Sequence, residues 1–140
     1  MIVLDTNVVS EPVQPIPSLA VRKWMSQYGR HDLYTTAITE AEMFAGVAAL
    51  PAGKRRETLS LHIVKIFAQD FAGRILPFDS EAARQYATVA RRVHGKPMME
   101  PDAQIAAIAK AHGAILATRN IKHFKDCGIT IVNPWTGEYP

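Results

Sequence analysis

The sequence predicts an α/β fold of three layers, α/β/α, with a central and mainly parallel sheet. Three observations carry this prediction. Short apolar and β-branched runs recur along the 140 residues: Ile2-Val3-Leu4, Leu33-Tyr34-Thr35-Thr36, Arg74-Ile75-Leu76-Pro77-Phe78, Ala114-Ile115-Leu116-Ala117 and Ile129-Thr130-Ile131-Val132. Runs this short and this apolar read as strands buried on both faces, as in parallel sheets. Stretches with helical apolar spacing separate them, which gives the alternation of parallel strands joined by right-handed crossovers. Polar residues follow two of the strands at once: Asp5 after the first, and Thr118-Arg119-Asn120 after the fourth. They share the carboxyl edge of the sheet, where open α/β folds place ligands.

Taken in order, the first strand ends at Asp5-Thr6-Asn7. Three prolines, Pro12, Pro15 and Pro17, mark a loop. Helical spacing resumes over residues 18–28 and stops at Gly29. After the second strand a helix is expected over residues 40–50. Thr39 followed three residues later by Glu42 fits a capping box, which would tie the Glu42 carboxylate to the helix start. The helix wheel offers the other reading. Glu42, Ala45, Gly46 and Ala49 form a face of small residues, and close packing of that face would bring Glu42 near the sheet edge. Glu40 does not share that side.

A long helix follows over residues 56–71, opened by Lys54-Arg55-Arg56. Asp79-Ser80 caps the next helix, over residues 81–94, and a second basic cluster containing Arg91, Arg92 and Lys96 surrounds its end. Cations at a helix C-terminus complement its dipole, and basic residues in a first turn oppose it. Pro101 and Asp102 open an apolar helix over residues 103–112. A short helix is expected from Ile121 to Lys125, and Trp135 and Tyr139 mark the tail.

Composition bounds the function. A chain of this length suits one domain, residues 1–140. It is 48% hydrophobic and 21% charged, as expected of a globular protein. The net charge of +3 permits an anionic partner without establishing one. One cysteine, Cys127, allows no internal disulfide and fits a cytoplasmic location. No leader or membrane-length apolar segment is visible, so no membrane association is expected.

Three carboxylates fall just past a strand end or within a helix's opening turns: Asp5, Glu42 and Asp102. Each has a bland explanation as a cap. Gathered at one sheet edge they would repel one another and raise each other's pKa unless a cation neutralised them. Oxygen donors without a cysteine or histidine cluster suit Mg²⁺, with Mn²⁺ as a substitute, and not zinc. His31, His62, His94, His112 and His123 show no ligand spacing and read as surface or core residues. An acidic metal pocket beside basic clusters has the parts that phosphodiester hydrolysis needs.

Four segments carry a resemblance: residues 2–11 (IVLDTNVVSE), 37–42 (AITEAE), 101–107 (PDAQIAA) and 116–120 (LATRN). In this order and spacing they resemble the signature blocks of PIN-domain ribonucleases. The VapC/FitB toxins of type II toxin–antitoxin systems are the most similar group. The ending Val132-Asn133-Pro134-Trp135 is also similar to that group's close. The resemblance implies that Asp5, Glu42 and Asp102 are the catalytic carboxylates and bind Mg²⁺. It implies an endoribonuclease, with transfer RNA a common target in the family and products carrying a 5′ phosphate and a 3′ hydroxyl. It also implies a homodimer neutralised by a VapB/FitA-like antitoxin, whose peptide tail occupies the active-site groove and through which operator DNA is reached. Thr6, Thr118 and Asn120 are supporting candidates. Some family members carry an aspartate where this chain has Asn120, which favours a single metal ion. Lys54, Arg55, Arg56, Arg91, Arg92 and Lys96 are candidates for contact with the RNA backbone. The competing reading is a catalytically weak module of the same fold that acts through antitoxin and DNA. A phosphotransfer or receiver-like domain fits less well, because Asn7 stands where a second aspartate would be and Asp5 has no acidic neighbour.

Overall fold

Ile2, Val3 and Leu4 form the central strand of the sheet, β1 (Ile2–Leu4), and all three are buried. The computed structural model describes residues 1–90 and 100–140. On one side β1 pairs with β2 (Leu33–Thr36), and on the other with β4 (Ile115–Ala117). Ile2 lies opposite both Leu33 and Ile115, and Val3 opposite Tyr34 and Leu116. The edges are β3 (Ile75–Leu76), beside β2, and β5 (Ile131–Val132), beside β4. The order is β3-β2-β1-β4-β5, and every pairing is parallel. All strands therefore point their carboxyl ends to one rim.

Side chains alternate across the sheet with period two, so its faces feed two cores. Ile2 and Leu4 pack with Val21, Trp24, Met43, Val47, Ile63 and Phe67. These come from α2 (Leu19–Met25), α3 (Ala37–Ala48), α4 (Lys54–Lys65) and the turn after it. Val3 and Leu116 pack on the other face with Val89, Ile105, Ile108 and Phe124. Those belong to α5 (Ser80–Ala90), α6 (Glu100–Ala111) and α7 (Ile121–Phe124). The expected three-layer arrangement is the one observed.

Several local expectations differ from the structure. The segment after Asn7 is not all loop. Thr6–Val9 forms one helical turn, α1, N-capped by Asp5, and Glu11–Val13 forms a 3₁₀ turn with Pro12 at its start. Proline suits a first turn, where its missing N–H would go unused. The long helix ends early, at Lys65, and continues as a π-helical turn, Ile66–Asp70, closed by Phe71 N–H donating to Ile66 O at 2.9 Å. That wider turn keeps Phe67 in the core. The helix over 81–94 begins at Ser80 as expected of the Asp79 cap, whose Oδ1 accepts from Ala82 N–H at 3.0 Å. Its expected end, with Arg91, Arg92 and Lys96, lies outside the described residues.

The route from α6 into β4 is fixed at the opposite, amino edge of the sheet. Gly113 adopts φ +58°, a left-handed conformation that glycine holds without a Cβ clash. Its N–H donates to Lys110 O at 3.1 Å, and Ala114 N–H donates to Ala109 O at 2.9 Å. These two bonds satisfy the last carbonyls of α6 and turn the chain directly into the sheet.

Candidate active site

Asp5 stands at the rim, where β1 passes into α1. Its backbone N–H still belongs to the sheet, donating to Ala117 O at 2.9 Å. The side chain is buried, with 3% of its surface exposed, so the carboxylate needs partners. Oδ1 accepts from Thr6 N–H at 2.8 Å. Oδ2 accepts from Asn7 Nδ2 and from Thr118 Oγ1, both at 2.7 Å. The capping reading of Asp5 is therefore correct, and it does not use up the residue. Burial pushes its carboxyl above the ordinary aspartate value, the bonds from Thr118 and Thr6 pull it down, and the negative charges of Asp102 and Glu42 push it up further. Two acids far from it in sequence thus act on Asp5 at this rim.

Glu42 is held from the opposite wall. The capping-box expectation fails, because α3 begins earlier than expected. Thr36 is the N-cap, with Oγ1 accepting from Thr39 N–H at 3.0 Å. Glu42 lies beyond the first turn and accepts a short hydrogen bond from Thr6 Oγ1. Thr6 also reaches Thr39 Oγ1 at 3.3 Å, so α1 and α3 are joined by hydroxyls. The second expectation also needs correction. The small-residue face of α3 is not packed against a neighbour: Ala45, Gly46 and Ala49 are exposed, and nothing lies within 4 Å of where a Cβ on Gly46 would sit. The local order of Asp5 and Thr6 brings Glu42 to the rim instead.

Asp102 sits in the first turn of α6, half-buried. His123 of α7 faces it, with Nδ1 2.7 Å from Asp102 Oδ2. An ionised carboxylate only accepts, so Nδ1 carries the proton. Sequence reasoning passed over His123, since no ligand spacing marks it. The signal lay in the fold, because α7 follows β4 directly and therefore begins at the same rim.

Thr118 is fully buried, and besides donating to Asp5 it accepts from Asn120 N–H at 3.0 Å. Asn120 itself is exposed, and its side chain makes no capping bond to α7. Asn7 completes the frame: its Oδ1 accepts from Arg119 N–H at 3.0 Å, tying α1 to the end of β4.

Beside Glu42 runs a largely apolar cleft of about 730 Å³ with Met43, Val47, Leu59 and Ile63 in its lining. Lys54 and Arg55 also line it, whereas Arg56 borders a separate depression with Glu57 and Leu61. The first basic cluster is therefore split between two surfaces.

The donor set is all oxygen, and it concentrates like charge on a buried aspartate. That chemistry fits a hard divalent cation. Among the described residues, no three histidine, cysteine, aspartate or glutamate side chains are gathered into a ready-made metal cage. Magnesium does not need one, since it keeps several waters among its ligands.

Comparison with known proteins agrees with this architecture. Residues 2–128 match the PIN domain family. The chain is 44% identical over 137 residues to the "VapC ribonuclease Y4jK" of Sinorhizobium fredii, covering 96% of this chain and 98% of that protein. It is 42% identical to "Toxin FitB" of Neisseria gonorrhoeae, covering 96% and 99%. Among solved structures, a FitAB complex bound to a DNA fragment superposes with a TM-score of 0.88 at 42% identity, covering 96% of each chain. FitAcB from Neisseria gonorrhoeae gives 0.85 at 41%, covering 96% and 99%.

Proposed function

The chain belongs to the PIN-domain family, in its VapC/FitB group of toxins, and we propose that it is a Mg²⁺-dependent endoribonuclease held in check by an antitoxin. The observation that carries the catalytic part is the state of Asp5: a buried carboxylate, hydrogen-bonded on both oxygens with one acceptor site of Oδ1 left over, whose pKa is raised by burial and by two further acids. Burial and like charge both disfavour the ionised Asp5 carboxylate, and a divalent cation held beside it would offset them.

Asp5, Glu42 and Asp102 are the residues that would hold the ion, with Mn²⁺ as a substitute. When bound, the ion supplies charge compensation at the phosphate and lowers the pKa of a water for attack on phosphorus. The chain's own part is positioning. Thr118, Asn7 and the Thr6 N–H fix both oxygens of Asp5. Thr6 Oγ1 fixes Glu42, and the His123 Nδ1 proton fixes Asp102. Outer partners of this kind orient ligating carboxylates and keep their lone pairs aimed at one point. Asn120 brings no charge to the rim, which supports one ion before substrate binds. Lys54 and Arg55 are the described cations along the cleft beside Glu42 and are proposed to contact the RNA backbone.

The partner proposal rests on the relatives, since the FitAB structure that superposes on this chain is a complex bound to DNA. A VapB/FitA-like antitoxin would lay an apolar segment in the cleft floored by Met43, Val47 and Ile63, and operator DNA would be reached through it. The exposed Ile16, Leu19, Leu61 and Val64 side chains support further protein contacts, including a homodimer. No helix among the described residues is long and apolar enough to cross a membrane.

Cleavage of single-stranded RNA in Mg²⁺, in EDTA, and by an Asp5→Asn variant in Mg²⁺ tests the catalytic proposal. Cleavage confined to the first condition is the expected result. Equal cleavage in all three contradicts it, and no cleavage in any favours the weak module acting through antitoxin and DNA.

A further inference from the structure

A second cleft of about 730 Å³ adjoins the apolar groove, sharing Ser10, Gln14 and Pro15 with it. Its walls include Asn7, Ser10, Glu11 and Gln14, and at one end stand Arg119 and Trp135. The Arg119 guanidinium lies over the Trp135 ring, 4.9 Å from its centroid. Both residues are firmly seated. Trp135 packs against the core, and its N–H donates to Asn133 Oδ1 at 3.0 Å, in a turn closed by Asn133 pairing with Glu138. Arg119 is anchored through its own N–H on Asn7 Oδ1. The same Asn7 donates to Asp5, so one side chain joins this cleft to the carboxylate rim.

We propose that Arg119 seated on Trp135 is a platform for one unpaired RNA base adjoining the cleaved phosphate. This inference rests on the nuclease reading and names the substrate's form, a single strand with its bases accessible. A guanidinium held over an indole offers an unpaired base cationic and aromatic contact together, and such surfaces bind bases with little sequence preference. The Gln14 amide and the Ser10 hydroxyl, both in the cleft lining, supply donors and acceptors for the base edge. A duplex keeps its bases stacked and presents only backbone here, so the cleft favours loops and single-stranded ends.

The test measures affinity for a short single-stranded oligoribonucleotide of mixed sequence and for the same oligomer with abasic riboses. The protein is the full chain carrying Asp5→Asn, with Mg²⁺ present, so that the RNA stays intact. The further variants are Arg119→Ala, Arg119→Lys and Trp135→Ala, each checked for an unchanged unfolding transition, with Trp135→Phe available if Trp135→Ala fails to fold. Arg119→Ala and Trp135→Ala are expected to weaken binding of the intact oligomer about 5- to 100-fold and to leave the abasic oligomer nearly unchanged. Arg119→Lys, which keeps the charge and loses the plane, is expected to behave like Arg119→Ala. Equal losses on both oligomers, or full rescue by lysine, identify a phosphate contact and overturn the platform. If the variants match the parent while the wild-type protein still cleaves RNA, the platform alone fails. If the chain neither binds nor cleaves the oligomer, the nuclease reading fails with it.

Discussion

Thr118 Oγ1 donates to Asp5 Oδ2 at 2.7 Å, joining the ends of two neighbouring strands separated by 113 residues of chain. The bond is buried and charge-assisted, and it helps hold Asp5 below the value that burial alone would give. The same hydroxyl accepts from Asn120 N–H, so replacing Thr118 disturbs both a carboxylate and a backbone donor.

Thr118→Val keeps the shape and removes the hydroxyl. It is expected to cost about 1–3 kcal/mol at neutral pH in urea unfolding, the usual cost of leaving buried polar groups short of a partner. With that bond gone the Asp5 carboxyl rises further, so the acidic limb of the cleavage pH profile moves to higher pH. Thr118→Ser restores both readings.

Asp5→Asn separates stability from catalysis. The folded-state pKa of Asp5 lies above its ordinary value of 3.8, so the folded protein holds the proton more tightly than the unfolded chain. The stability this supplies is fully present below the unfolded pKa and is lost as pH rises through the folded one. Each unit between the two values is worth about 1.4 kcal/mol. In EDTA, thermal unfolding of the wild-type protein is expected to weaken relative to Asp5→Asn across that window. The variant is expected to cleave no RNA at any pH.

Thr6→Val tests the link between α1 and α3. Glu42 loses its hydroxyl donor while its own charge stays. A misplaced carboxylate is expected to lower kcat/KM about 10- to 100-fold, since small displacements of positioning groups have effects of this size. Thr6→Ser is expected to recover most of the rate in a steady-state RNA cleavage assay.

His123→Ala tests the pairing with Asp102. His123 is about half exposed, so its loss leaves the core intact. The expected change is a roughly 10-fold increase in the Mg²⁺ concentration that half-saturates cleavage, as outer partners of metal-binding carboxylates typically show. Unfolding in EDTA is expected to stay close to wild type.

Much of the fold was legible because its signals are local. The buried runs at Ile2–Leu4, Leu33–Thr36 and Ile115–Ala117, together with the apolar spacing between them, specify strands and helices without reference to distant residues. Asp5 was legible for the same reason, as a charge at the end of an apolar run. What escaped the reading depends on pairs far apart in the chain. Glu42 was picked out on the helix wheel, but a capping role stood beside it because Thr39 precedes it by three residues; Thr36 takes that role, and Glu42's partner lies 36 residues away. His123 meets Asp102 across 21 residues, and Arg119 meets Trp135 only once the tail turns back at Asn133. The α1 turn was hidden by the prolines that follow it, although Asp5 caps it.

The central claim is that Asp5, Glu42 and Asp102 share a divalent ion, and thermal unfolding with and without Mg²⁺ tests it without any RNA. A ligand bound only by the folded state stabilises it in proportion to RT ln(1 + [L]/Kd), so at about 100-fold excess over Kd the gain is about 2.7 kcal/mol. A saturable rise in wild-type Tm that disappears in Asp5→Asn, Glu42→Gln and Asp102→Asn is the predicted result. A wild-type Tm indifferent to Mg²⁺ and Mn²⁺, or a rise of equal size in all three variants, would contradict the account.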